Sequence, residues 1–115
     1  IVSSGHYAQI GSSGDRAKIG SSGYSAQIVS SGDRAKIGSS GDRAKIDVTG
    51  NHAVIASAGR NTIISAADGA WVSLAEYDDS GKCIGFATGC IGQGGLEAGV
   101  EYKAKGGELV PTGAE

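Results

Sequence analysis

The sequence predicts an all-β protein: a flat, two-sheeted parallel β-solenoid of about 18 residues per coil, ended by a C-terminal antiparallel β-hairpin cap. Three observations lead there. Ser-Ser-Gly-x-x-Ala-x-Ile-x recurs every nine residues, with glycines at Gly5, Gly14, Gly23, Gly32, Gly41, Gly50 and Gly59 and isoleucines at Ile10, Ile19, Ile28, Ile37, Ile46, Ile55 and Ile64. Within each copy, alanine and isoleucine alternate with variable, mostly polar residues. Most of the larger apolar residues (Trp71, Tyr77, Phe86, Leu96, Tyr102, Leu109) fall after the array.

A nine-residue period is about two and a half turns of α-helix, which would throw successive isoleucines onto opposite helix faces. A Ser-Ser-Gly in every copy weakens a helix further. As a strand the pattern is consistent. In Asp15 to Ile19, Ala17 and Ile19 point one way and Arg16 and Lys18 the other. Gly20-Ser21-Ser22-Gly23 then reads as the turn, with glycine supplying positive φ and serine bonding the turn backbone. Two such units make one coil. A three-sided coil of 27 residues would have sides of ~17 Å and enclose more space than alanine and isoleucine fill. Tyr7-Ala8-Gln9-Ile10 is echoed at Ser25 to Ile28, and Asp15 to Ile19 returns at Asp33 to Ile37, a weak signal at double the period.

The pattern drifts toward its end. Val48 and Thr49 replace the serines and Thr62 the alanine; Gly69 follows Gly59 by ten residues, read as an insertion in the turn Ser65 to Asp68. Val72 and Leu74 then take the alanine and isoleucine roles. This divides the chain into a repeat array over 1–69 and a capping region over 70–115. In the cap, Trp71 to Tyr77 reads as a strand, Asp78 to Gly81 as a tight turn and Lys82 to Ile91 as the return strand. Gly92 to Gly95 reads as a loop, and Tyr102 to Lys105, Gly106-Gly107 and Glu108 to Val110 as a second hairpin. A cap is needed because the last coil otherwise exposes unpaired backbone and core.

Net charge is −2, which announces neither a nucleic-acid nor a membrane partner. Charge is nonetheless uneven: six basic residues against three acids through Ile46, and four against nine from Asp47 onward. Cys83 and Cys90 are too few for a disulfide framework, and two reduced thiols are expected. No apolar run is long enough for a membrane span. Ile1 occupies the isoleucine position of an incomplete repeat, which suggests repeats continuing upstream and an open first coil capable of end-to-end self-association.

The period resembles that of the nonapeptide calcium-binding rolls of secreted toxins. There an aspartate ligates the metal; here Ala8, Ala17, Ala26, Ala35, Ala44 and Ala53 stand in its place, and a methyl group cannot replace a hard oxygen ligand. The tandem Ser-Ser-Gly-x-x-Ala-x-Ile units, the stretch Gly69 to Tyr77 and the tail with Tyr102 and Gly107 to Val110 together resemble a group of uncharacterised bacteriophage and gut-bacterial proteins. That resemblance covers nearly the whole chain. It implies a phage or prophage setting and an array of variable length, and it carries no catalytic motif.

Residues 18 apart are expected to stack, so Arg16, Lys18, Arg34 and Lys36 would share one face, continuing toward His52 and Trp71. The other face would carry Tyr7 and Gln9, Ser25 and Gln27, then Arg43 and Lys45. These six basic residues are the candidate contacts for an anionic polymer, glycan or nucleic acid. The competing interpretation is a solubilising face whose aspartates partly neutralise it. His6 and His52 have no metal-ligand spacing to cysteine or carboxylate. The array serines are repeated turn residues without an assignable base. Glu76, Asp78 and Asp79 read as hairpin-turn residues rather than a cation site. Gly92 to Gly95 does not open a helix as phosphate loops do. An ice-binding face is disfavoured by Arg, Lys, Gln and Tyr on the sheets. The expectation is a non-enzymatic structural or display module with no metal or other cofactor.

Overall fold

The computed structural model describes residues 2–3, 5–7, 9–93 and 96–112; expectations resting on Ile1, Ala8 and the Gly94-Gly95 half of one loop lie outside the described residues. Twelve strands follow in chain order: β1 Val2–Ser3, β2 Gln9–Ser12, β3 Lys18–Ser21, β4 Gln27–Ser30, β5 Lys36–Ser39, β6 Lys45–Val48, β7 Val54–Ser57, β8 Ile63–Ser65, β9 Trp71–Tyr77, β10 Cys83–Cys90, β11 Tyr102–Lys105 and β12 Glu108–Pro111. No helix occurs among the described residues.

Successive strands alternate between two sheets, one ordered β1-β3-β5-β7-β9-β10 and the other β2-β4-β6-β8-β11-β12. Within the array every neighbouring pair is parallel, with isoleucine on isoleucine. Ile19, Ile37 and Ile55 form one ladder and Ile10, Ile28, Ile46 and Ile64 the other. The register step from Ile28 to Ile46 is two repeats, so the structure is a β-solenoid of 18 residues per coil and about four coils. The thinnest principal extent is 20 Å, which suits two sheets separated by side chains no larger than isoleucine.

The strands sit about three residues later in each repeat than the sequence suggests. Lys18–Ser21 is strand, where Gly20 to Gly23 was expected to turn; Asp15 and Arg16 are turn, where strand was expected. The alternation explains the shift. Ile19 and Ser21 both face the core, as do Ile37 and Ser39, while Lys and the residue after Ile face outward. The first serine of each pair is therefore a core residue: Ser21, Ser30, Ser39 and Ser57 are all buried. The hydroxyls of Ser21, Ser30 and Ser39 have no hydrogen-bond partner among the described residues. Val48 fills the position stacked on Ser30. Ser57 does find a partner, Thr62, at 2.7 Å.

The turns reverse the expected role of glycine. Positive φ falls instead on the second variable residue of each repeat: Tyr7, Arg16, Ser25, Arg34, Arg43, His52 and Asn61, all between 56° and 61°. Each such conformation costs an L-residue about 1 kcal/mol or more. The turned N–H groups bond the neighbouring coil in compensation, as Arg16 N–H to the Asp33 carbonyl at 2.7 Å and Arg34 N–H to the Asn51 carbonyl at 2.9 Å. The repeat glycines answer to close approach. A Cβ on Gly41 would stand 2.0 Å from the Gly23 carbonyl oxygen, and Gly23, Gly32, Gly50 and Gly59 meet the glycine one coil earlier in the same way. Glycine lies on glycine along both corners, and no side chain fits between.

The end of the array differs from expectation for the same reason. Ile55 pairs with Val72 and Ser57 with Leu74, so Val72 takes the isoleucine role and Leu74 the buried-serine role, with Ala70 in the alanine position. The last turn is one residue short rather than one residue long. Gly69, with φ 84°, packs against the His52 ring in the left-handed position, and the close-approach glycine is the residue lost.

Both sheets end in antiparallel strands. β10 pairs with β9, and β11 joins β8 and β12. The hydrophobic core runs in one cluster from Ile10 through Val72 to Ala87, Ile91, Tyr102 and Leu109, so the cap continues the core of the array.

Two substitutions separate these roles. Gly41→Ala should destabilise by about 3 kcal/mol or more, because its methyl meets backbone that cannot yield. Gly20→Ala, at a repeat glycine of the outer face with nothing within 4 Å of its Cβ, should leave the melting temperature unchanged or raised. Equal losses in thermal melts would contradict the glycine account. Ile37→Asp should unfold or shorten the array, since Ile37 is 3 % exposed and the charge would be unpaired; an unchanged β-rich circular dichroism spectrum and melt would refute the inward assignment.

Candidate binding surface

Because the strand begins at the residue after alanine, each repeat divides its variable residues between a corner and a sheet. Lys18 and Lys36 stand in one outward column of the first sheet, followed by Val54 and Trp71. Arg16 and Arg34 lie in the adjacent corner with His52, in the left-handed conformation. The single face expected to carry Arg16, Lys18, Arg34 and Lys36 is therefore split between corner and sheet, and His52 and Trp71 belong to different columns. The second sheet's outward column is Gln9, Gln27, Lys45 and Ile63. Arg43 lies in the opposite corner, its guanidinium 5.9 Å from the centroid of the Tyr24 ring.

The six basic candidates thus occupy four surfaces. Lys45 is paired with Glu101 at 3.2 Å, across the junction of array and cap. The aspartates of the Asp-Arg-x-Lys units act on the backbone. Asp15 Oδ1 accepts Asp33 N–H at 3.1 Å, Asp33 Oδ1 accepts Asn51 N–H at 3.0 Å and Asp42 Oδ1 accepts Arg60 N–H at 2.9 Å. Each carboxylate bridges one coil to the next, a structural role beyond the charge neutralisation expected of it. His6, Tyr7 and Tyr24 form an edge-to-face cluster at the Arg43 corner, with ring centroids 6.1 to 6.3 Å apart.

The acidic residues of the cap hold turns. Asp78 Oδ1 accepts the Ser80 hydroxyl at 2.7 Å and the N–H groups of Ser80 and Lys82 at 3.0 Å. The Ser80 hydroxyl, then the Lys82 N–H, hold the Asp78 carboxyl below its ordinary pKa. With the folded value depressed, this contribution to stability is complete above the ordinary carboxylate range and fades as pH falls through the lowered value. Glu76 reaches the other hairpin, accepting Gly106 N–H and Gly107 N–H at 2.8 Å each. Tyr77 donates its hydroxyl to the Ala58 carbonyl of the array. Glu97 N–H donates to the buried Tyr102 hydroxyl at 2.6 Å.

Cys83 and Cys90 are free thiols on the single strand β10, one exposed and one buried, seven residues apart. An extended strand separates them by ~24 Å, so they cannot bridge each other. No group of three or more metal-ligating side chains occurs among the described residues. Among the described residues no helix is long and apolar enough to cross a membrane. Comparison with protein-family models, curated proteins and solved structures returned no match.

Glu76→Ala should release the turn of β11 and β12 and lower stability by about 1–2 kcal/mol, as expected for two charge-assisted hydrogen bonds at a partly exposed site. Amide exchange should accelerate at Gly106 and Gly107 while the isoleucine ladders stay protected; uniform acceleration along the array would contradict a local anchor.

Proposed function

We infer that the chain is a non-enzymatic structural module, a β-solenoid spacer that presents variable side chains at fixed intervals. The observation that carries this reading is the division of labour inside the repeat. Glycine, alanine, isoleucine and the first serine are spent on backbone stacking and core, and the remaining positions face outward. The outward positions of the strands change from coil to coil without touching the stacking machinery: Lys18, Lys36 and Val54 share one site, as do Gly11, Val29 and Asp47. Such a rod can be lengthened or re-surfaced independently. The resemblance of its repeats and cap to phage and gut-bacterial proteins supports a phage-associated or bacterial setting.

A second reading, adhesion to an anionic polymer, is favoured by Lys18 directly above Lys36 in the first sheet. Two ammonium groups in one outward column at strand spacing of ~4.8 Å give that face a positive potential suited to an anionic partner.

The spacer reading is tested by deletion. Removing residues 24–41, one whole coil of 18, should leave a folded protein with its cap docked. Its small-angle scattering should show a rod shorter by ~4.8 Å. Removing residues 33–41 exchanges the sheets for everything downstream and should cost far more stability. Equal unfolding of both variants in thermal melts would overturn the modular spacer.

A further inference from the structure

The outward face of the first sheet is unlike the other three surfaces. Lys18, Lys36, Val54 and Trp71 stand in one column as a wall. Beside it the column Gly20, Gly38 and Ala56 forms a low floor, running on to the hydrogen-bonded hydroxyls of Ser73 and Thr88 at 3.1 Å. Ser22, Ser40 and Ala58 form the far rim, and Phe86 from β10 rises at its cap end. Trp71 and Phe86 thus flank the floor, 53 % and 56 % exposed.

The fold does not require glycine at Gly20 or Gly38. Neither has positive φ, and a Cβ on either would meet nothing within 4 Å. Glycine inside a strand costs stability and commonly marks the close approach of another molecule. Gly11 on the second sheet is equally unconstrained, but Val29 and Asp47 stand in its column and close that face.

We propose that this trough binds a linear acidic polysaccharide of the polyuronate type, laid along the solenoid axis across β3, β5, β7 and β9. Among the outward residues of β3, β5 and β7 the charged ones are Lys18 and Lys36, with no carboxylate beside them in those columns, which favours an anionic occupant. The exposed indole and phenyl rings at the cap end suit the apolar faces of pyranose rings, and the serine rim offers hydroxyls. A second copy of the chain fits less well. The open face measures roughly 13 by 19 Å, about 250 Å², far below the ~800 Å² per partner of a stable dimer. Single-stranded nucleic acid would call for aromatic stacking along the whole path, whereas the aromatics are confined to one end. This inference deepens the adhesion reading and leaves the spacer reading standing if it fails, because the coil deletions are judged without a ligand.

Trp71 is the only tryptophan, so its fluorescence reports occupancy directly. Titration with a hexauronate oligosaccharide should give a saturable change that weakens with salt. A neutral glucose oligomer of the same length should bind at least about tenfold more weakly. Gly38→Val should keep or raise the melting temperature yet weaken hexauronate binding at least about tenfold, while the matched Gly11→Val on the second sheet leaves it unchanged. Lys36→Ser provides a second variant at the surface and should also weaken binding. No saturable change, wild-type binding by Gly38→Val and Lys36→Ser, equal binding of the neutral oligomer, or tighter binding of an oligothymidylate would each overturn the proposal.

Discussion

Backbone stacked on backbone at the corners is the constraint from which the rest follows. Hydrogen-bonded strands lie ~4.8 Å apart, and at the turns nothing but main chain separates one coil from the next. A single methyl on Gly41 would fall 2.0 Å from the Gly23 carbonyl oxygen. With glycine at that point, the corner N–H groups reach carbonyls of the neighbouring coil, and the aspartate side chains bridge the same gap. The left-handed residue two positions after each glycine is strained alone and is held by those inter-coil bonds.

The core is narrow because the corners are tight. Two four-residue strands per coil leave room for isoleucine, alanine and serine, and the unpaired serine hydroxyls show that space, more than polarity, selects the residue there. Burying a hydroxyl without a partner costs ~1–3 kcal/mol, and Val48 avoids it at the position stacked on Ser30. Where the array ends, the chain drops one residue (its corner glycine), introduces larger side chains, and turns back in antiparallel strands. Tyr102, Leu109 and Leu74 fill the widened end. Glu76 then ties the last hairpin to β9.

The period, the inward alanine and isoleucine, the pairing of alternate repeats and both cap hairpins were legible because side-chain alternation and turn residues report them directly. The strand boundaries were not. Ala17 faces inward both in a strand and at a corner, so its apolarity cannot tell the two apart. Glycine likewise signals either positive φ or close approach. The distinguishing sign lies at the residue two after each glycine: Tyr7, Arg16, Ser25, Arg34, Arg43, His52 and Asn61 include no β-branched side chain, as a left-handed position requires. That misplacement also joined Arg16 to Lys18 on one face. The trough was hidden because Gly20 and Gly38 look like turn glycines until the strand is extended through them, and Phe86 reaches their sheet from a distant segment.

A scaffold of this kind separates what holds the coils together from what they display, and the first sheet's outer face is where that freedom has been used to leave a floor bare. All of it depends on coils of two repeats. Backbone nuclear Overhauser contacts across neighbouring strands measure this most directly. Amide and Hα contacts should connect Ile28 with Ile46 and Ile37 with Ile55, each 18 residues apart. Strand-pairing contacts at steps of nine residues, or at the 27 of a three-sided coil, would contradict the account.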